Sequence, residues 1–257
     1  MIDSHCHLNA LRYTDAIPDI HSAIEKAQQD GIKKMLSICT ELEQVDGLKR
    51  ISETYENIYY TVGVHPSEWQ GEAPSVQRLI ELSQNPKCKG IGETGLDYHY
   101  NDESTWEEQK IRFNIHLQTA NQINKPVIVH TRNAQADTIE VLKNGNVSEC
   151  GGVLHCFTED YAFAKQVLDL GMYISLSGIL TFKNAQQIQE VAKKIPLERI
   201  LIETDSPYLA PVPVRGKPNF PHNVKHVASF LAQLRGDDIT LVIDKTSENA
   251  IKLFDLS

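Results

Sequence analysis

Residues 2–7 read IDSHCH, a short run that begins apolar and closes on two histidines, His5 and His7. In an extended strand, side chains two apart point to the same face. Both imidazoles are therefore expected on one side of a strand, able to hold one metal ion. Asp3 shares their phase one layer deeper, where a carboxylate can orient a ligand imidazole or make an ordinary interior hydrogen bond. An isolated HxH is a weak signal, but here the same event recurs. An apolar run meets a metal-ligand side chain again at Glu93 in GIGETGLD (90–97), His130 in VIVHT (127–131), His155 in GVLHCF (152–157) and Asp205 in LIETDSP (201–207). One ligand type after each run is the pattern of a (β/α)8 barrel, whose active face is built at the C-terminal ends of its strands.

Strand-like runs fall near 1–7, 34–40, 58–65, 89–96, 126–131, 152–157, 172–178 and 200–205. Amphipathic helical segments fall near 17–30, 43–56, 74–84, 104–123, 136–144, 160–170, 184–194, 221–235 and 245–254. Eight strands separated by helices imply parallel pairing, because each return needs a crossover. The strand runs are rich in Val, Ile and Leu, as in a sheet covered on both faces. Gly31 and Gly171 follow helices, where a left-handed cap suits glycine, and Pro126 and Pro196 keep helices from running into strands five and eight. The expectation is an α/β protein, a single TIM-barrel domain over 1–257 with its metal site at the strands' C-terminal ends.

Composition narrows the function. A hydrophobic content of 41% and a charged content of 23% are those of an ordinary globular protein. No stretch approaches the roughly 20 apolar residues of a membrane span, and MIDSHCHLN carries no export signal. A cytoplasmic monomer is expected. The five cysteines have no CxxC spacing and read as reduced thiols. Cys6 and Cys156 neighbour ligand histidines but have the opposite strand phase, as packing residues would. The net charge of −9 argues against a broad basic nucleic-acid surface, though not against a local phosphate site carrying cations.

Asp205 can bind a metal and also take a proton from water. A bound cation lowers the pKa of its water toward ~7, so hydroxide becomes available at neutral pH without a serine or cysteine nucleophile. Glu203, in the same strand phase, can support a ligand. Glu93 has two oxygens and can bridge two cations, whereas Asp97 is expected to cap a helix or turn. For the metal itself, zinc or manganese suits the histidines, and magnesium suits oxygen donors and phosphate.

The ordered set HxH, Glu, His, His, Asp resembles the amidohydrolase-type metal-dependent hydrolases. The strings MIDSHCHLN, VGVHP, GETGLDY, VIVHTRNA, LHCFT, SGILTFKNA and ETDSPYLAP resemble the TatD family of DNases within them, over nearly the full length. The resemblance implies a barrel with two metals, His5, His7, Glu93 and Asp205 serving one and Glu93, His130 and His155 the other. It also implies 3′–5′ exonuclease-type hydrolysis of single-stranded DNA. The chain departs from the family at Glu159 and in PVPVRGKPNFP (211–221), where Val214, Pro218 and Phe220 replace His, Arg and Glu. These changes bear on substrate contacts rather than on metal ligands.

For a DNA end, His65 in GVHP is a candidate phosphate donor or leaving-group acid, although a turn histidine before Pro66 fits as well. Arg132, Lys183, Arg215 and Lys217 follow strand ends and are candidate phosphate contacts. Trp69, Tyr98 and Phe220 are candidate stacking faces for a splayed base. Metal-activated water attacks carbonyl groups as readily as phosphoryl groups. A D-aminoacyl-tRNA deacylase, or another ester or amide hydrolase on the same barrel, therefore stands as the alternative. A metal-binding scaffold without turnover is a third reading, disfavoured because a structural zinc site is closed by four ligands.

Overall fold

The computed structural model describes residues 1–256. Its eight strands are β1 (Ile2–Cys6), β2 (Lys34–Ser37), β3 (Ile58–Val62), β4 (Cys88–Asp97), β5 (Val127–Arg132), β6 (Gly152–Leu154), β7 (Tyr173–Leu176) and β8 (Ile200–Ile202). They lie in one sheet in chain order, paired in parallel. β8 returns beside β1, where Ser4 Oγ donates to Ile202 O at 2.9 Å and Asp205 N donates to His5 O at 2.9 Å. The fold is the expected (β/α)8 TIM barrel.

Helices α1 (Ile20–Gln29), α2 (Val45–Thr54), α3 (Val76–Leu82), α4 (Trp106–Ile123), α5 (Gln135–Asn144), α6 (Val147–Cys150), α7 (Tyr161–Asp169), α8 (Gln186–Lys194), α9 (Val224–Arg235) and α10 (Ile239–Phe254) fill the connections. Their starts are chemically marked. Asp19 caps α1 by accepting from Ser22 N, and Ser75 caps α3 by accepting from Arg78 N. The last helix begins at Ile239 and not near 245, because Asp238 accepts from Thr240 N and Leu241 N. Short α6 was not expected; its four residues are too few to show a 3.6-residue period.

By contacts the chain divides into two compact units. One comprises Met1–Ser37, His155–Lys165 and Ile174–Ser257; the other comprises Ile38–Leu154 and Gln166–Tyr173. In the first, α1, α9 and α10 bury small and β-branched faces such as Ala23, Ala27, Val227, Ala228 and Val242. In the second, Val45 and Leu48 of α2 and Leu79 of α3 close over Tyr60 and Val62 of β3 and Cys88 of β4. Fully burying each such side chain stabilises the fold by about 1.5–3 kcal/mol relative to exposure.

β4 is irregular in both of its ladders. Its register against β5 shifts between Ile91 and Thr94, then resumes as Gly95↔His130 and Asp97↔Arg132. The shift is a bulge that re-aims one side chain, and that side chain is Glu93. Gly95 sits at φ 134°, and a Cβ there would collide with the His130 carbonyl. Glu93 therefore lies within a strand, inside the run expected over 89–96. Other strands end earlier than expected, since β3, β6 and β8 stop at Val62, Leu154 and Ile202. His65, His155 and Asp205 stand on irregular backbone just beyond, and Asp205 itself is left-handed at φ 54°. Strand phase therefore does not govern Glu203 and Asp205.

Candidate metal centre

In the first unit the end of β1 presents His5 and His7, both buried, with their Nε2 atoms 3.3 Å apart. Asp205 Oδ1 lies 3.2 Å from His7 Nε2 and 3.6 Å from His5 Nε2. The His155 ring stacks on His5, centroids 3.9 Å apart. Glu203 stands behind His155 with Oε1 3.3 Å from Nδ1, and the same oxygen accepts from Cys156 N at 2.9 Å. Glu203 is fully buried, and its Oε2 has no hydrogen-bond partner.

These spacings test whether a cation belongs here. Two ligands at ~2.05 Å in tetrahedral geometry lie about 3.3 Å from each other. The His5–His7 and His7–Asp205 separations of 3.3 and 3.2 Å match that value. Buried carboxylates and converging imidazole lone pairs are costly without a positive charge among them. The donor set fits a divalent cation. Burial works to raise the Asp205 pKa, but the His7 hydrogen bond and the nearby His5, His7 and His155 more than offset it, leaving the pKa lowered. Asp205 is thus a carboxylate at neutral pH.

Asp3 holds backbone rather than an imidazole. Its Oδ2 accepts from the Thr204 hydroxyl at 2.6 Å, and its Oδ1 accepts from Thr204 N at 2.9 Å. Burial pushes its carboxyl up to about 8. It ties β1 to the backbone leading to Asp205. Cys6 donates to Leu36 O and packs as expected.

In the second unit the bulge of β4 places Glu93 Oε1 3.4 Å from His130 Nδ1 and 3.5 Å from His65 Nε2. Behind His130 stands Asp97, with Oδ2 3.1 Å from Nε2. Its other oxygen accepts from His99 N and Tyr100 N at 2.9 and 2.8 Å. Burial raises the Asp97 pKa, yet these partners more than reverse the effect and bring it to about 2. Asp97 has the expected turn-capping role and also orients His130.

His65 Nδ1 accepts from Ser67 N at 3.1 Å, so its neutral ring carries the proton on Nε2, facing Glu93. In that tautomer His65 can donate from Nε2, and with Glu93 and His130 it also forms a set of ligand atoms close enough to hold a cation. The Val64 N–H just before it is held by His116 Nε2 at 3.0 Å, and His116 Nδ1 donates to Arg112 O at 2.7 Å. Burial drives His116 down to about 4, so it stays neutral. Nothing in the sequence distinguishes this histidine from a surface residue of α4.

The expected substrate contacts fare unevenly. Arg132 is exposed over the Tyr100 ring at 4.4 Å, and Lys183 is exposed. Arg215 and Lys217 line one cleft in the first unit. The three expected stacking rings are committed elsewhere. Trp69 lies under Arg112 and donates to Asn101, Tyr98 stacks on Trp106, and Phe220 is buried.

The family model for TatD-related DNase matches residues 2–255. The chain belongs to that family. It is 43% identical over 254 residues to the uncharacterised metal-dependent hydrolase YcfH of Escherichia coli K12, covering 99% of this chain and 95% of that protein. It is 32% identical over 265 residues, covering all of both chains, to the 3′-5′ ssDNA/RNA exonuclease TatD of Escherichia fergusonii. Among solved structures, the TatD homologue YJJV of E. coli K12 matches with a TM-score of 0.91 at 27% identity, over 99% of this chain and 98% of that one. This family member thus carries two His/carboxylate sets suited to metal. Among the described residues no helix is long and apolar enough to cross a membrane.

Proposed function

We propose that the protein is a deoxyribonuclease that hydrolyses phosphodiester bonds of single-stranded DNA from a 3′ end, with two divalent cations bound. The cations would be held by His5, His7, Glu93 and Asp205 on one side and by Glu93, His130 and His155 on the other. When bound, they supply Lewis acidity to phosphoryl oxygens and acidify water. The observation that carries the reading is Asp205, an ionised carboxylate set against two imidazoles with ligand spacing. Asp205 accepts a proton from the attacking water as general base. Glu203 and Asp97 hold the rings of His155 and His130 in fixed orientation. His65, with its proton on Nε2, donates toward a phosphoryl or leaving oxygen. The 32% identical exonuclease supports DNA as the substrate.

The test is end-labelled single-stranded DNA with protein reloaded with zinc, manganese or magnesium. Progressive shortening from the 3′ end is expected. Intact DNA with the metals demonstrably bound overturns the reading. Release of the amino acid from a D-aminoacyl-tRNA in a parallel assay then puts the deacylase in its place.

A further inference from the structure

Beside His7 the loops after β1, β7 and β8 enclose an open cleft of about 540 Å³, lined by Arg12, Phe182, Tyr208, Arg215 and Lys217 among others. Its character differs from the rest of an acidic chain: three cations and two aromatic rings, with no carboxylate in its lining. Tyr208 is 47% exposed, and its centroid lies 5.9 Å from that of His7. The Arg12 guanidinium sits 5.8 Å from the Tyr208 ring, and Arg215 stacks 4.1 Å over Phe182.

The backbone under Tyr208 is fixed in place. Asn219 Nδ2 donates to Tyr208 O at 2.6 Å and to Thr204 O at 2.9 Å, and Asn223 in turn donates to Asn219 Oδ1. Leu209 is held at φ 52°, a costly conformation for a branched residue, with its carbonyl against Gly178 where a Cβ would collide. An exposed ring on a clamped, strained loop binds a planar partner with little ordering cost.

We propose that this cleft is the subsite for the 3′-terminal nucleotide, whose base stacks on Tyr208 while Arg12, Arg215 and Lys217 hold phosphates on its 5′ side. This rests on the nuclease reading above and adds the residues that select a base-bearing end. The ring stands next to His7, so a base on Tyr208 leaves its own phosphate at the ligand histidines. Arg215 keeps its guanidinium edge for phosphate while its face covers Phe182.

The test uses metal-loaded protein and a single-stranded DNA hexamer with hydrolysis-resistant phosphorothioate linkages and 2-aminopurine as its 3′-terminal base. Wild-type protein should quench the 2-aminopurine. Tyr208→Ala should abolish the quench and weaken binding about ten- to a hundredfold, the range for one stacked base. Tyr208→Phe should restore both. Arg12→Ala and Lys217→Ala should keep the quench and each flatten the salt dependence of log affinity by ~0.7. Equal quench and affinity in Tyr208→Ala overturns the subsite alone, provided wild type still shortens ordinary DNA. If wild-type protein neither binds nor shortens DNA, the nuclease reading and the subsite fall together.

Discussion

The two donor sets solve the same problem differently. In the first unit, the carboxylate Asp205 lies directly against the imidazoles of His5 and His7, and it is delivered by a left-handed residue beyond β8. In the second, the carboxylate Glu93 comes from the middle of β4, brought round by a bulge, and its partner His130 is braced from behind by Asp97. One set gets its precision from loop backbone pinned by Asp3 and Thr204; the other gets it from strand register and a buried carboxylate. Loss of a directly placed carboxylate should remove chemistry, whereas loss of a bracing one should weaken metal binding.

The largest effect is expected for Asp205→Asn, which deletes both a ligand and the proton acceptor. kcat on single-stranded DNA should fall about 10²–10⁴-fold while the melting temperature stays close to wild type. A loss smaller than tenfold would move the base elsewhere. Next come the two bracing residues. Glu203→Gln and Asp97→Asn should each weaken metal affinity about 10–100-fold, measured by competition with a chromogenic chelator. Glu93→Gln should exceed Asp97→Asn. Equal losses from these last two would mean that the wrong carboxylate is assigned as ligand.

The smallest effect tests the second unit's scaffold. Burial lowers the His116 pKa from its ordinary 6.5 to about 4. As pH falls from 6.5 toward 4, the unfolded chain takes up a proton that the folded chain refuses. Stability is therefore lost across that window, by roughly 3 kcal/mol for this group. His116→Ala should cost about 2–3 kcal/mol at pH 7 through the unpaired Val64 N–H and the cavity. It should also flatten the urea-stability profile between pH 6.5 and 4. An unchanged slope would assign the acid sensitivity to other groups.

Much of this was legible in the sequence because ligand chemistry and strand ends coincide. IDSHCH, VIVHT and GVLHCF each announce a strand and a ligand together. The β4 bulge was not legible: the run over 89–96 reads as an uninterrupted strand, and only the ladder to β5 shows the register shifting before Thr94. His116 and Tyr208 were missed for the same reason. Each is one aromatic or imidazole ring among many, and its meaning lies in a partner far away in sequence, Val64 for one and His7 for the other. The expected stackers Trp69, Tyr98 and Phe220 were plausible by position alone, but Asn101, Trp106 and the core had already claimed them.

The central proposal is that Glu93 is a ligand shared by two cations. Electron paramagnetic resonance of the protein loaded with two equivalents of manganese tests it directly. A shared carboxylate predicts a spin-coupled pair in wild type that collapses to an uncoupled signal in Glu93→Gln. Two independent manganese signals in the wild-type protein, unchanged by that substitution, would contradict the account.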